Sequence, residues 1–302
     1  MTWLLAASLL WAFSFGLIKR FLPDLDPWWV AAVRLSLATA AFAPWAIRRA
    51  PSRRLRPWAL ALGALQFGAM YVLYIAAFRF LPAWQVALWT VLTPVLVVLL
   101  AVIWRGESLW RPAGAALLAV AGALLAQGRW PAGDTLTGVL LVQGSNLCFA
   151  AGQLGYRDLA AAAGVSGVPG VATGAVRKAA REARGREAGL LGWMSLGGAS
   201  LALMGWALAG EPAGATVAGA AGPTLLYLGL VPTAVGFWLW NKGAARTGAG
   251  RLAVANNLKV PLAVVVAWLV FGESAPYLRA LAGLALVVAA LRLAGRAPAA
   301  RT

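Results

Sequence analysis

The chain has 302 residues, is 62% hydrophobic and only 12% charged, and has a mean hydropathy of +0.77. Soluble domains carry roughly 25% charged residues, so a soluble globular class is excluded and an integral membrane protein is indicated. Histidine is absent, which removes histidine-dependent catalysis and the commonest metal ligand, and the net charge of +17 has to be read from where the charges sit.

The N-terminal stretch MTWLLAASLLW has no basic leader and no small-residue cleavage site after it, so it reads as a first span rather than a signal peptide. About 20 mostly apolar residues cross a bilayer. Ten such runs follow one another, at roughly 3–22, 27–47, 57–79, 83–103, 111–128, 136–157, 189–209, 222–241, 251–271 and 276–294. Prolines such as Pro23, Pro27, Pro57, Pro82, Pro112, Pro131 and Pro276 mark the joints, where their fixed φ stops one helix or starts the next. Cys148, the single cysteine, lies in an apolar stretch and reports nothing about redox compartment.

With these spans, nineteen Lys and Arg fall on one side and five on the other, while Arg34 and Lys259 stay within the membrane. The positive-inside rule then places both termini in the cytoplasm and accounts for the charge without nucleic acid.

The stretch Tyr71 to Ser108 recurs at Trp238 to Ser274, pairing Pro94 with Pro261 and Tyr71 with Trp238. Both copies end in Gly-Glu-Ser, at residues 106–108 and 272–274. Five spans per half is an odd number, so the second half inserts upside down. The expected fold is all-α integral membrane, ten transmembrane helices as two inverted five-helix repeats, residues 1–130 and 131–302, with the substrate site near the midplane between the repeats. Residues 158–188, ending in VRKAAREARGREA, read as a basic cytoplasmic linker, with an amphipathic surface helix as the alternative.

The doubled Pro-x(11–12)-Gly-Glu, the opening WAFSFGLIKR and the five-plus-five spans resemble the drug/metabolite transporter superfamily, EamA branch. The first-helix Trp-x7-Lys pattern of that family is matched by Trp11 and Lys19, and its second-helix Arg by Arg34. GFWLWNKGAARTGAG resembles the Trp-Asn-x-Gly segment of the family's amino-acid exporters, at Trp240, Asn241 and Gly243. The chain differs from that subgroup at Lys259, where a small or apolar residue is usual. The resemblance implies a multi-pass inner-membrane permease that is no enzyme, with metabolite efflux as the expected direction.

Among individual residues, Lys259 stands out. It lies roughly 12 Å into its span at 1.5 Å per residue, where an ammonium costs about 2.5–3.5 kcal/mol unless it has a partner or a wet cavity. Asn256 and Asn257 precede it, and Pro261 leaves the carbonyl of Asn257 without its helical donor. Such a stretch resembles a discontinuous-helix binding site; the competing role is a snorkelling lysine with asparagines joining helices. Arg34 lies about as deep and can grip a carboxylate or phosphate, or serve a structural ion pair.

The first-copy counterparts of Asn256 and Asn257 are Trp89 and Thr90, and Pro94 frees the carbonyl of Thr90; Tyr74 pairs with Asn241. Gln143, Asn146 and Gln153 approximate one face of the sixth span, and Trp11 and Ser14 line the first. The expected binding set is thus Lys259, Asn256, Asn257, Arg34, Trp11, Ser14, Tyr71, Tyr74, Trp89, Thr90, Asn146, Gln153, Trp238 and Asn241, with Pro94 and Pro261 as helix breaks.

All nine acidic residues lie at or beyond span ends, so no intramembrane carboxylate is available as a proton relay. Glu107 and Glu273, each just before a new helix, read as partners of that helix's N-terminus. No P-loop or dinucleotide fingerprint is present, and no cofactor or metal is expected.

The leading expectation is a secondary transporter, an exporter, of an amino acid or related carboxylate. A sugar-phosphate or nucleotide exchanger on the same fold is the alternative, and an intramembrane enzyme a distant third. Its partners would be a small-molecule substrate and the bilayer, with a monomer sufficient and a homodimer allowed.

Overall fold

The computed structural model describes residues 2–105, 117–118, 121–122, 124–125, 133–165, 174–212, 217–244, 259–260, 262–273, 278–279, 281–283, 285–286 and 288–289. Every regular element among the described residues is helical. Among the described residues, six helices are long and apolar enough to cross a membrane: Thr2–Phe21, Pro27–Arg48, Arg56–Ala77, Gly133–Ala162, Glu182–Ala209 and Ala221–Trp240. A further apolar stretch begins at Ala83, runs as α-helix to Trp89, tightens to a 3-10 turn at Thr90–Leu92 and resumes at Thr93–Arg105. Residues 259–260 and 262–269 are helical within the expected ninth span, while the runs at 111–128 and 276–294 lie largely outside the described residues. The basic stretch before 188 is helical from Gly174 and continuous with the span that follows, in one helix Gly174–Ala209.

Local chemistry explains the helix ends. The Pro27–Arg48 helix starts with proline at its first position, and the Asp26 side chain accepts the N–H of Trp29 at 3.0 Å. That is the N-cap geometry expected where the first N–H groups lack partners. The other Asp26 oxygen accepts from the Glu211 N–H at 3.3 Å, so one carboxylate serves two chain segments.

Two stretches wind as π-helix, Ala64–Ala69 and Gly229–Val235. The second has a visible cause. Pro232 has no N–H for the carbonyl of Leu228, and the Thr233 hydroxyl donates to that carbonyl at 2.7 Å instead.

The chain forms two compact units, each drawing on both sequence halves. One comprises Met1–Pro23, Leu73–Ala150 and Leu239–Thr302; the other comprises Asp24–Val72 and Ala151–Trp238.

In the second unit, Gly174–Ala209 is the central helix, and Pro27–Arg48, Arg56–Gly63 and Ala64–Ala69 pack along it. Glycines set how closely they approach. A Cβ on Gly63 would run into the Met194 backbone, and one on Gly197 into the Leu60 carbonyl. Lipid tails are as apolar as leucine, so close backbone packing of this kind, rather than a hydrophobic drive, holds membrane helices together. Trp29 and Trp206 pack against each other in the same unit, with centroids 4.8 Å apart and ring planes tilted by 43°.

In the first unit, Thr2–Phe21 packs against Ala83–Trp89. Phe15, Tyr74 and Phe78 form an aromatic triad with centroid separations of 5.6, 5.0 and 6.4 Å. The Lys19 ammonium donates to the Phe78 carbonyl at 2.7 Å, just past the end of the Met70–Ala77 helix. A cation there complements the helix dipole, so the lysine of the first-helix motif has a structural partner.

Glu273 does partner a helix N-terminus, but a different one from the helix that follows it. Its two carboxylate oxygens accept the N–H groups of Ala83 and Trp84 at 2.9 and 3.1 Å. The reason is local: Pro82 occupies the N-cap and brings no side-chain acceptor, so those first N–H groups need one from elsewhere. Glu107 lies outside the described residues.

Candidate functional site

In the first unit, the Lys259 ammonium lies over two rings, 5.3 Å from the Trp11 centroid and 5.5 Å from that of Phe149. Trp11 in turn packs against Trp240, with centroids 5.3 Å apart. Thr2–Phe21 supplies Trp11, Gly133–Ala162 supplies Phe149, Gly236–Ala244 supplies Trp240, and Lys259 stands at the start of the described part of its own helix. Cation–π contacts are worth about 0.5–2 kcal/mol, more as water is removed. They offset part of the cost of holding an ammonium at that depth without neutralising its charge. The arrangement is therefore a cation on an aromatic wall, suited to a solute with an anionic end and a flat apolar body.

Asn256, Asn257 and Pro261 lie outside the described residues, as do the side chains of Asn241 and Pro94.

The second cluster in this unit braces the break in the Ala83–Arg105 stretch. The Trp89 carbonyl accepts from Asn146 Nδ2 at 3.0 Å and from Gln143 Nε2 at 3.3 Å. Asn146 Nδ2 also donates to Gln143 Oε1 at 3.1 Å. Pro94 frees the Thr90 carbonyl, and the Thr93 hydroxyl, 2.7 Å away, donates to it while lying 2.9 Å from Asn146 Oδ1. Thr90 itself donates to the Ala87 carbonyl at 2.7 Å. Trp89, Thr90 and Asn146 are each buried, and their hydrogen bonds make this a satisfied polar knot at the helix break.

Ser14 is also buried, and its hydroxyl returns to the Leu10 carbonyl one turn back at 3.0 Å. Tyr74 belongs to the Phe15–Phe78 triad.

The second unit carries Arg34, Tyr71, Gln153 and Trp238. Arg34 is 2% exposed. Its Nη2 donates to the Tyr71 hydroxyl at 3.2 Å and to the Thr233 hydroxyl at 3.1 Å, and its guanidinium carbon lies 4.3 Å from the Tyr71 ring centroid. Tyr71 and Thr233 oxygens are themselves 3.1 Å apart. Because Thr233 gives its proton to Leu228, Tyr71 is the donor between them. Arg34 Nε and Nη1 have no hydrogen-bond partner among the described residues. The structural ion pair that sequence leaves open for Arg34 is not formed among them either, since its contacts are hydroxyls and a ring. Gln153 and Trp238 are both partly exposed.

Sequence reasoning missed three residues that the structure brings to these clusters: Phe149, Thr233 and Thr93. Thr233 carried a readable signal, because it follows a proline four residues after Leu228 just as Thr93 precedes Pro94. Phe149 carried none beyond its place on an apolar helix.

A protein of Pseudomonas aeruginosa named a probable biotin transporter is 36% identical over 293 residues, spanning 96% of each chain. The biotin transporter of Escherichia coli K12 is 30% identical, across 96% of this chain and 91% of its own. A probable terminal-alkyne amino-acid exporter of Streptantibioticus cattleyicolor is 29% identical, across 95% of this chain and 90% of its own. One crystal structure superposes with a TM-score of 0.67 at 20% identity, covering 97% of this chain and 95% of its own, which speaks to the fold alone. The family model described as the EamA-like transporter family matches residues 1–127 and again 170–296. The chain therefore belongs to the EamA-like transporter family within the drug/metabolite transporter superfamily, and is a multi-pass membrane permease for a small molecule rather than an enzyme.

Proposed function

We propose that the chain is a secondary transporter of a small organic carboxylate, with biotin as the first cargo to test. It works by alternating access around a midplane site, in ten spans of two inverted repeats with both termini in the cytoplasm of an inner membrane. The observation that carries this is the Lys259 ammonium lying over Trp11 and Phe149, with Trp240 extending the wall. Biotin has the matching chemistry: one carboxylate on an aliphatic arm and a compact, largely saturated fused-ring body whose planar ureido face can lie on an aromatic ring. Full-length similarity to proteins named as biotin transporters supports the same cargo.

Export of an amino acid is the second reading, supported by the Streptantibioticus cattleyicolor relative. Both need a cation for a carboxylate and differ in what the aromatic wall receives.

Counterflow in proteoliposomes separates them. Vesicles preloaded with unlabelled biotin should accumulate labelled biotin transiently, and Lys259→Ala vesicles should not. Counterflow of amino acids with no response to biotin would replace the first reading by the second. Right-side-out and inverted vesicles under an imposed cargo gradient then report direction.

A further inference from the structure

Arg34 and Gln66, both buried in the unit formed by Asp24–Val72 and Ala151–Trp238, keep hydrogen-bonding groups that no described residue uses. Arg34, 2% exposed, retains Nε and Nη1; Gln66, 6% exposed, retains Oε1. Gln66 sits in the π segment Ala64–Ala69, and Thr233, which holds Arg34, sits in the π segment Gly229–Val235. Continuing the register that pairs Tyr71 with Trp238, Gln66 pairs with Thr233, so the duplication puts a polar side chain at the same place in both.

The protons of the cluster are accounted for. Thr233 gives its own to Leu228, Tyr71 gives its own to Thr233, and Arg34 Nη2 donates to both hydroxyls. What remains are N–H donors on a positively charged group whose contacts among the described residues are hydroxyls and a ring. More than nine in ten buried polar groups are hydrogen-bonded, so donors left over on a charged group call for a ligand as explanation. π segments inside helices recur at functional sites.

We propose that Arg34, braced by Tyr71 and Thr233, is a binding site for a small monovalent anion, either a halide or a carboxylate group. The single charge sets the valence. A phosphate would bring a second negative charge that no other cation among the contacts of Arg34 meets. The hydroxyls orient the guanidinium through Nη2 and leave Nε and Nη1 to the anion. This site is carried wholly by one unit and does not depend on biotin being the cargo.

The test uses the full chain in lipid nanodiscs, with unfolding followed by tryptophan fluorescence. Sodium chloride is titrated in one arm and sodium acetate in the other, against sodium isethionate at constant ionic strength. The expected result is a saturable rise in Tm, with the half-saturating concentration raised at least tenfold in Arg34→Met. A rise with chloride alone assigns a free halide; a rise with acetate, alone or together with chloride, assigns a site open to an organic carboxylate. No saturable rise in either arm, or one that survives Arg34→Met, overturns the proposal. Should Arg34→Met fail to fold, Arg34→Lys keeps the charge but not the planar fork, and at least tenfold weaker binding is expected. Unchanged half-saturation in Arg34→Lys overturns the proposal equally. Biotin counterflow, measured separately, bears on the cargo and not on this site.

Discussion

Removing the carboxylate of Glu273 should loosen the first unit at one defined joint. In Glu273→Ala, the N–H groups of Ala83 and Trp84 lose acceptors at 2.9 and 3.1 Å, and Pro82 at the N-cap offers no substitute. Hydrogen bonds to a charged group contribute about 1.5–3 kcal/mol each when fully buried. Glu273 is only partly buried, so water recovers some of that, and losing a helix cap costs about 1–2 kcal/mol. The dipole term adds roughly 0.3–1 kcal/mol. Together these give about 1–3 kcal/mol, which at roughly 2–4 °C per kcal/mol lowers Tm by on the order of 3–10 °C. Glu273→Gln keeps one oxygen as acceptor and should fall about halfway. Thermal unfolding of the detergent-solubilised protein, followed by tryptophan fluorescence, reads both variants. A Tm for Glu273→Ala within about 1 °C of the parent would refute the capping argument, because among the described residues neither N–H has another acceptor and water replaces only part of the loss.

Other expectations concern packing, topology and cargo. Gly197→Ala drives a Cβ into the Leu60 carbonyl, which is backbone and cannot swing aside, so the yield of monodisperse protein on size-exclusion chromatography should drop severalfold. Gly144→Ala meets only the end of Leu73 at 3.2 Å and should be tolerated; equal behaviour of the two would remove close backbone packing as the cause. Cysteines engineered beside Glu107 and Glu273 should differ in labelling from outside the cell, with only the second marked, and marking of both or neither sinks the inverted topology. Lys259→Ala should lose at least tenfold in transport of an anionic cargo at near-normal membrane levels. Unchanged transport takes Lys259 out of the site.

The helices were legible because an apolar run of span length leaves the backbone little choice in lipid, where each polar group must be satisfied within its own segment. Proline placement gave the starts at Pro27 and Ala83 and the break near Pro94, each by removing an N–H or fixing φ. Lys259 and Arg34 stood out in sequence because a charge at depth is expensive, and Trp11 because it completes the first-helix Trp-x7-Lys pattern of the family the chain resembles. What surrounds them was not legible. Phe149 reaches Lys259 through packing of helices distant in sequence, and no local pattern distinguishes it from a lipid-facing ring. Asn146 and Thr90 were expected to face a solute, whereas their hydrogen bonds brace the helix break, because a freed carbonyl in an apolar core takes the nearest donor. Glu273 was placed correctly in kind but not in target. Sequence proximity pointed to the next helix, and the uncapped N-terminus at Ala83 claimed the carboxylate instead.

Whether the cargo is held by its carboxylate is tested most directly by competing biotin counterflow with biotin methyl ester, which keeps the ring and arm but removes the charge. Free biotin should compete in the parent at concentrations at least tenfold below the ester, and this preference should vanish in Lys259→Ala. Equal competition by acid and ester in the parent would contradict it, leaving the aromatic wall as the binding element and Lys259 as a structural cation.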